Sequence, residues 1–231
     1  MLTENTEPVK MLMPGLPGYP KRERVITYID GFNLYFGIKE AGWRQHLWLD
    51  LLALARNLSM DFQDVNEVKY FTARISGPGQ KQARQSDYLD ALSTLDHAVF
   101  RIFFGKYQQE PQTCRLCGKE DIISHEKMTD VNVAVEMMRD AFQDRFDTAL
   151  LLSADSDLCP PVRTIRELFP KKRVVVGFPP RRRSAELVKV ASNFFVIGKG
   201  SLAKSQLPPE LTTASGTVLL RPATWTAPGQ P

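Results

Sequence analysis

The sequence predicts an α/β protein with a mostly parallel central sheet flanked by helices on both faces. Two observations lead there. Short β-branched and aromatic runs alternate with segments of helical period. Several of the short runs are apolar without interruption, as strands covered on both sides must be.

Taken in order, Arg24 to Asp30 is the first strand, closed by Asp30-Gly31. Residues 33–41 and 49–58 have helical spacing. In the second, Leu51, Leu54, Ala55 and Leu58 form the apolar face. Val65 to Ala73 reads as strand two, 80–95 as a polar-faced helix, and Val99 to Lys106 as strand three. A polar insert occupies 107–128. The strongest helical pattern covers 130–145. Val131, Val135, Met138 and Phe142 are expected to face inward, with Glu136, Arg139, Asp140 and Gln143 outward. Thr148 to Ser153 is a continuously apolar strand, followed by a helix at 160–168 with Pro160-Pro161 in its first turn. Strands at Arg173 to Phe178 and Phe194 to Ile197 flank a helix at 184–190.

The proline-rich, aperiodic residues 1–22 predict a flexible N-terminal arm, 23–198 the folded domain, and 199–231 a flexible C-terminal tail. Charged residues make up 24% and the net charge is +4, which is compatible with a phosphate-rich partner and specific to none. No apolar run approaches the ~20 residues that span a bilayer, and the N-terminus lacks the apolar core of a signal peptide. Three cysteines are too few for a disulfide framework. A cytoplasmic protein without membrane partners is expected. Oligomeric state is not legible.

In parallel sheets, sites form outside the carboxyl ends of the strands. Asp30 ends strand one, Asp155 and Asp157 follow strand four, and Asp130 opens the helix that feeds it. Four carboxylates in one cleft repel and lose solvation unless a cation sits among them. Mg²⁺ or Mn²⁺ is the natural occupant, and either supports phosphodiester hydrolysis. Each acid also has a plainer reading: Asp30 in a turn, Asp130 or Asp155 and Asp157 as helix caps. Asn33 is either a cap or an amide that orients a carboxylate, a metal-bound water or a phosphate oxygen.

Tyr28-Ile-Asp-Gly-Phe-Asn-Leu-Tyr35 resembles the opening motif of the NYN family, PIN-like nuclease relatives that include the LabA-like proteins. Glu126-Lys-Met-Thr-Asp-Val-Asn-Val-Ala-Val135 and Leu152-Ser-Ala-Asp-Ser-Asp-Leu158 are similar to its second and third acidic motifs, in family order across about 24–198. The resemblance implies a PIN-like, Rossmann-like three-layer fold and divalent-metal-dependent cleavage, usually of RNA. It also implies that Asp30, Asp130, Asp155 and Asp157 bind the metal beside the motif's Asn33. Ala154 stands where the family commonly has Gly, so this turn is expected to differ slightly.

Cys114 and Cys117, with His125 as a third ligand, suggest half a zinc site, but free thiols in a loop are the favoured reading, since no second ligand pair follows at suitable spacing. Arg181, Arg182 and Arg183 follow a strand's carboxyl end on the same edge as the acids. With Lys127 and Arg74 they are candidate phosphate contacts, against the alternative of a solvated charge run. Trp43, Trp48, Tyr35 and Phe36 could stack on bases or simply pack. The leading expectation is a metal-dependent ribonuclease acting on single-stranded or structured RNA. The alternative is a catalytically silent RNA-binding or regulatory module of the same fold. Phosphatase or nucleotide hydrolase chemistry is weaker, because no phosphate-gripping Gly-x-x-x-x-Gly-Lys loop is present.

Overall fold

A computed structural model describes residues 22–75, 79–113, 118 and 120–226, with backbone alone for 107–113 and 121–126. The proposed N-terminal arm therefore lies outside the described residues, except for Arg22. Six parallel strands form the sheet: β1 (Glu23–Asp30), β2 (Gln63–Thr72), β3 (Phe100–Phe104), β6 (Thr148–Leu152), β7 (Arg173–Phe178) and β8 (Asn193–Val196). Their order is β3-β2-β1-β6-β7-β8. The chain builds outward from β1 in one direction, then returns beside β1 and builds the other way. The reversal lies between β1 and β6, which run in register with Ile29 opposite Leu152. Loops leaving two such neighbouring strands toward opposite faces open a crevice at their carboxyl ends.

Period-two alternation along each strand feeds two cores. Val25 and Ile29 point to one side with Val68, Tyr70, Leu150 and Leu152. There they meet α1 (Gly31–Glu40), α2 (Leu51–Leu58) and α3 (Gly79–Leu92). Ile26 and Tyr28 point to the other side with Phe71, Ala149 and Leu151. They pack on α4 (Thr129–Phe142), α5 (Cys159–Leu168) and α6 (Ala185–Val190). The three-layer architecture agrees with the sequence reading. The insert is an antiparallel hairpin, β4 (Lys106–Thr113) and β5 (Glu120–Lys127).

Two expectations are corrected. On α4 the inward face is Val133, Glu136, Met137, Asp140 and Ala141, whereas Val131, Val135 and Phe142 are exposed. The reason is Lys69, fully buried on β2 beneath this helix. Its ammonium donates to Glu136 Oε2 at 2.8 Å and to Asp140 Oδ2 at 2.5 Å. Tyr28 also donates to Asp140, at 2.7 Å, and Arg145 bridges Asp140 and Glu67. A buried cation requires counter-charges, and that requirement outweighs the apolar stripe.

The second correction concerns the tail from 199. It carries α7 (Lys199–Lys204), the hairpin β9 (Glu210–Thr212) and β10 (Val218–Leu220), and a final 3-10 turn at Ala223–Trp225. Leu202, Leu207, Leu219 and Trp225 are buried in the α1–α3 core. Trp48 Nε1 donates to Pro208 O at 2.7 Å, so this tryptophan is a core group tied to the C-terminal segment.

Candidate active site at the β1–β6 crevice

Asp30 is the last residue of β1 and the N-cap of α1. Its Oδ1 accepts from the Asn33 amide nitrogen at 3.0 Å. Asp30, expected either in a turn or at a metal site, is thus the cap of α1. Asn33 Nδ2 donates to Asp30 Oδ2 at 2.7 Å, so the motif asparagine orients the carboxylate. Gly31 is required where it stands: a Cβ there would lie 2.7 Å from both Phe71 O and the Tyr70 hydroxyl. That contact lets α1 leave the strand end without displacing β2.

The partner strand supplies Ser153, fully buried, whose hydroxyl donates to Asp30 Oδ2 at 2.8 Å. Ser153 Oγ itself accepts from the Asp155 backbone nitrogen at 3.0 Å. Asp155 in turn caps the 3-10 turn Ser156–Leu158, accepting from the Asp157 nitrogen at 2.9 Å. A single serine hydroxyl therefore couples the two acidic motifs. It was not among the sequence candidates, although it stands two residues before Asp155 at the end of an apolar strand.

Only 3% of Asp30 is exposed. Burial pushes its carboxyl above the ordinary aspartate range, against the hydrogen bonds from Asn33 and Ser153, and the nearby charge of Asp155 pushes the same way. Asp157 is exposed on its turn. Asp130 lies in the first turn of α4, a helix that packs against the 3-10 turn bearing Asp157. It does not cap that helix; the N-cap is Met128, in the left-handed region at φ 79°. Among the described residues, no group of three or more His, Cys, Asp or Glu is placed to hold a metal ion.

The basic run closes the other wall. Arg181 turns in the left-handed region (φ 61°), and Pro179 and Pro180 abut Gly37 of α1, where a Cβ would meet Pro180 O at 2.8 Å. This packing lays Arg182 over Phe36. Its guanidinium donates to Glu40 at 2.6 Å and reaches Asn33 Oδ1 at 3.4 Å. Arg182 Nε is buried with no hydrogen-bond partner among the described residues. Arg183 instead sits over Phe194. Arg74, just past β2, stacks on Phe104, and Lys127 ends β5. Arg182 is thereby joined to the Asp30 network through Asn33. Cys114 and Cys117 lie outside the described residues, and of His125 only the backbone, in β5, is described. Trp43 packs against the core.

Fold and crevice together define an α/β protein with the PIN-like, nuclease-type architecture. The chain belongs to the NYN domain family, matched across residues 24–198. It is 28% identical to the 6-hydroxy-3-succinoylpyridine 3-monooxygenase HspA of Pseudomonas putida, a match covering 94% of this chain and 78% of that protein. A solved structure of a Vibrio parahaemolyticus protein of unknown function superposes with a TM-score of 0.51 at 21% identity. It covers 81% of this chain and 98% of the other, and establishes likeness of fold alone. No helix among the described residues is long and apolar enough to cross a membrane.

Proposed function

We propose that this protein is a metal-dependent ribonuclease that hydrolyses phosphodiester bonds at the β1–β6 crevice. One observation carries the reading. Asp30, a buried carboxylate whose ionisation is opposed by burial and by Asp155, sits at the strand ends where an α/β sheet binds its ligand. The donor set is hard oxygen, which suits Mg²⁺ or Mn²⁺. Such ions use one or two carboxylates and keep several waters for substrate phosphate to replace. Asp30 and Asp155 would hold the cation, with Asp130 and Asp157 supplying outer carboxylates. When bound, the ion would lower the pKa of a coordinated water and neutralise a phosphoryl oxygen. The chain's own contribution is positional. Asn33 and Ser153 hold Asp30 in one rotamer, and Arg182, tied to Asn33, sets a positive charge beside them for a backbone phosphate.

The deciding experiment incubates the protein with labelled RNA, single-stranded DNA and duplex DNA, with Mn²⁺ or with EDTA. EDTA-sensitive RNA cleavage that Asp30→Asn abolishes supports the proposal; cleavage that survives the substitution overturns it. Retention of RNA without products would instead identify a silent binding module.

A second reading has its own support, since the Pseudomonas relative matches almost the whole chain and is named as a monooxygenase of an aromatic compound. Monooxygenation places one oxygen atom of O2 in the substrate and reduces the other to water, so it consumes a two-electron reductant. Reductant-dependent oxygen uptake with a hydroxypyridine, in a preparation that leaves RNA intact, would favour it.

A further inference from the structure

On the β2 side of α1 lies a cavity of about 290 Å³ whose lining includes Gly31, the residue that follows Asp30. Its inner wall is aromatic. Tyr88 and Trp225 meet edge to face at 5.8 Å, and Tyr70 completes the wall from β2. These rings are held in place: Tyr88 donates to Leu49 O at 3.0 Å, and Trp48 packs against both Tyr88 and Trp225. Burial pushes Tyr70 up to about 12 and Tyr88 well above its ordinary value, so both phenols stay neutral. At the mouth, Tyr35 and Phe36 remain more than a third exposed.

The charge of the lining is one-sided. Among the described residues it includes Lys39, Lys81 and Arg84 and no carboxylate. Lys81 and Arg84 stand three residues apart on α3, hence on one face, and neither is in an ion pair among the described residues. Rigid rings within and unpaired cations at the rim select two properties in one ligand. The rings favour a flat π system, through stacking and edge contacts. The cations favour an anion held near, not inside, the apolar part. The volume is at the small end for ligand pockets and suits one ring system with its acidic group.

We propose that this cavity is a binding site for a planar aromatic ring carrying an anionic group, with the ring against Tyr88 and Trp225 and the anion at Lys81 and Arg84. The assignment stands whichever chemistry the acids perform, because it uses none of them. Two sources share this ligand chemistry: a base with its phosphate, and a free aromatic carboxylic acid.

Isothermal titration calorimetry in EDTA separates them. One arm titrates 5′-nucleoside monophosphates against the matching nucleosides, and the other benzoate against benzamide. Saturable binding is expected in at least one arm, with the anion bound at least tenfold more tightly than its uncharged partner. The surface double variant Lys81→Ala/Arg84→Ala should abolish that preference while its melting temperature stays at the wild-type value. Binding confined to nucleotides assigns the site to a base, and binding confined to benzoate assigns it to a free acid. No saturable binding in either arm overturns the proposal, as does equal affinity for the uncharged partners or an unaffected double variant. With metal absent and affinity the readout, failure here leaves the nuclease reading untouched, and failed RNA cleavage leaves this site untouched.

Discussion

Asp30 is asked to be an anion in a place that disfavours anions. Its folded pKa is raised above the unfolded value, so the stabilising contribution belongs to the protonated form. That contribution is complete below the unfolded pKa and is lost as pH rises through the folded pKa. Asp30→Asn removes this loss while Asn33 and Ser153 can still hydrogen-bond the new amide. The variant should therefore melt at or above wild type near pH 8, with the advantage shrinking as the pH falls toward about 4. Differential scanning calorimetry across that range checks it; a gap that does not vary with pH would refute the electrostatic account. The companion expectation concerns the cation. Mn²⁺ at a hundredfold excess over its Kd should add about 2.7 kcal/mol to wild-type stability, and Asp30→Asn and Asp155→Asn should lose most of that gain. At this scale much of the site was legible: acids at strand ends, an asparagine one helical turn on, and arginines on the same edge. Ser153 was not. A serine that links two carboxylate motifs looks in sequence like any polar residue ending a strand, and only the register of β1 against β6 brings it to Asp30.

Among the elements, α4 shows why periodicity alone misleads. Two apolar stripes run along it, Val131-Val135-Phe142 and Val133-Met137-Ala141, and hydrophobicity does not choose between them. The choice is made by Lys69, 67 and 71 positions before Glu136 and Asp140, whose buried ammonium draws both beneath the helix. No local window contains that information. Lys69→Met keeps the volume and removes the buried cation that Glu136 and Asp140 share, leaving them only the half-exposed Arg139 and Arg145. It should cost about 3–5 kcal/mol in urea unfolding. Tyr28→Phe, which removes one hydrogen bond to Asp140, should cost roughly 1–2 kcal/mol. A double variant of Lys69→Met with Asp140→Leu should cost less than the sum of the singles, because the second change removes a buried carboxylate whose closest cation the first had already taken away. Additive costs would show that the cluster does not act as a unit. The six strands of the parallel sheet, by contrast, were legible to within about two residues, since β-branched and aromatic runs mark them even where a polar residue interrupts; the hairpins β4–β5 and β9–β10 were not.

For the whole molecule, the boundary drawn by sequence pattern and the boundary drawn by packing differ. The family match ends at 198, where β8 has just closed the sheet, yet the α1–α3 core is completed by Leu202, Leu207, Leu219 and Trp225 beyond it. Short strands and a six-residue helix separated by Pro and Gly have too little periodicity to announce themselves; their burial depends on a groove that exists only once α1, α2 and α3 are folded. Trp225 is the test. It is 7% exposed and packs on Trp48 and Tyr88, so Trp225→Ala should cost about 3–5 kcal/mol through lost burial and the cavity left behind. Truncation after residue 198 should cost more than that single substitution, since it also strips Leu202, Leu207 and Leu219 from the core and leaves Trp48 Nε1 without Pro208 O. Chemical denaturation of the two variants beside the full chain measures this. A truncated protein as stable as the full chain would mean that the segment merely rests on a core already complete, and that the domain ends where the sheet does.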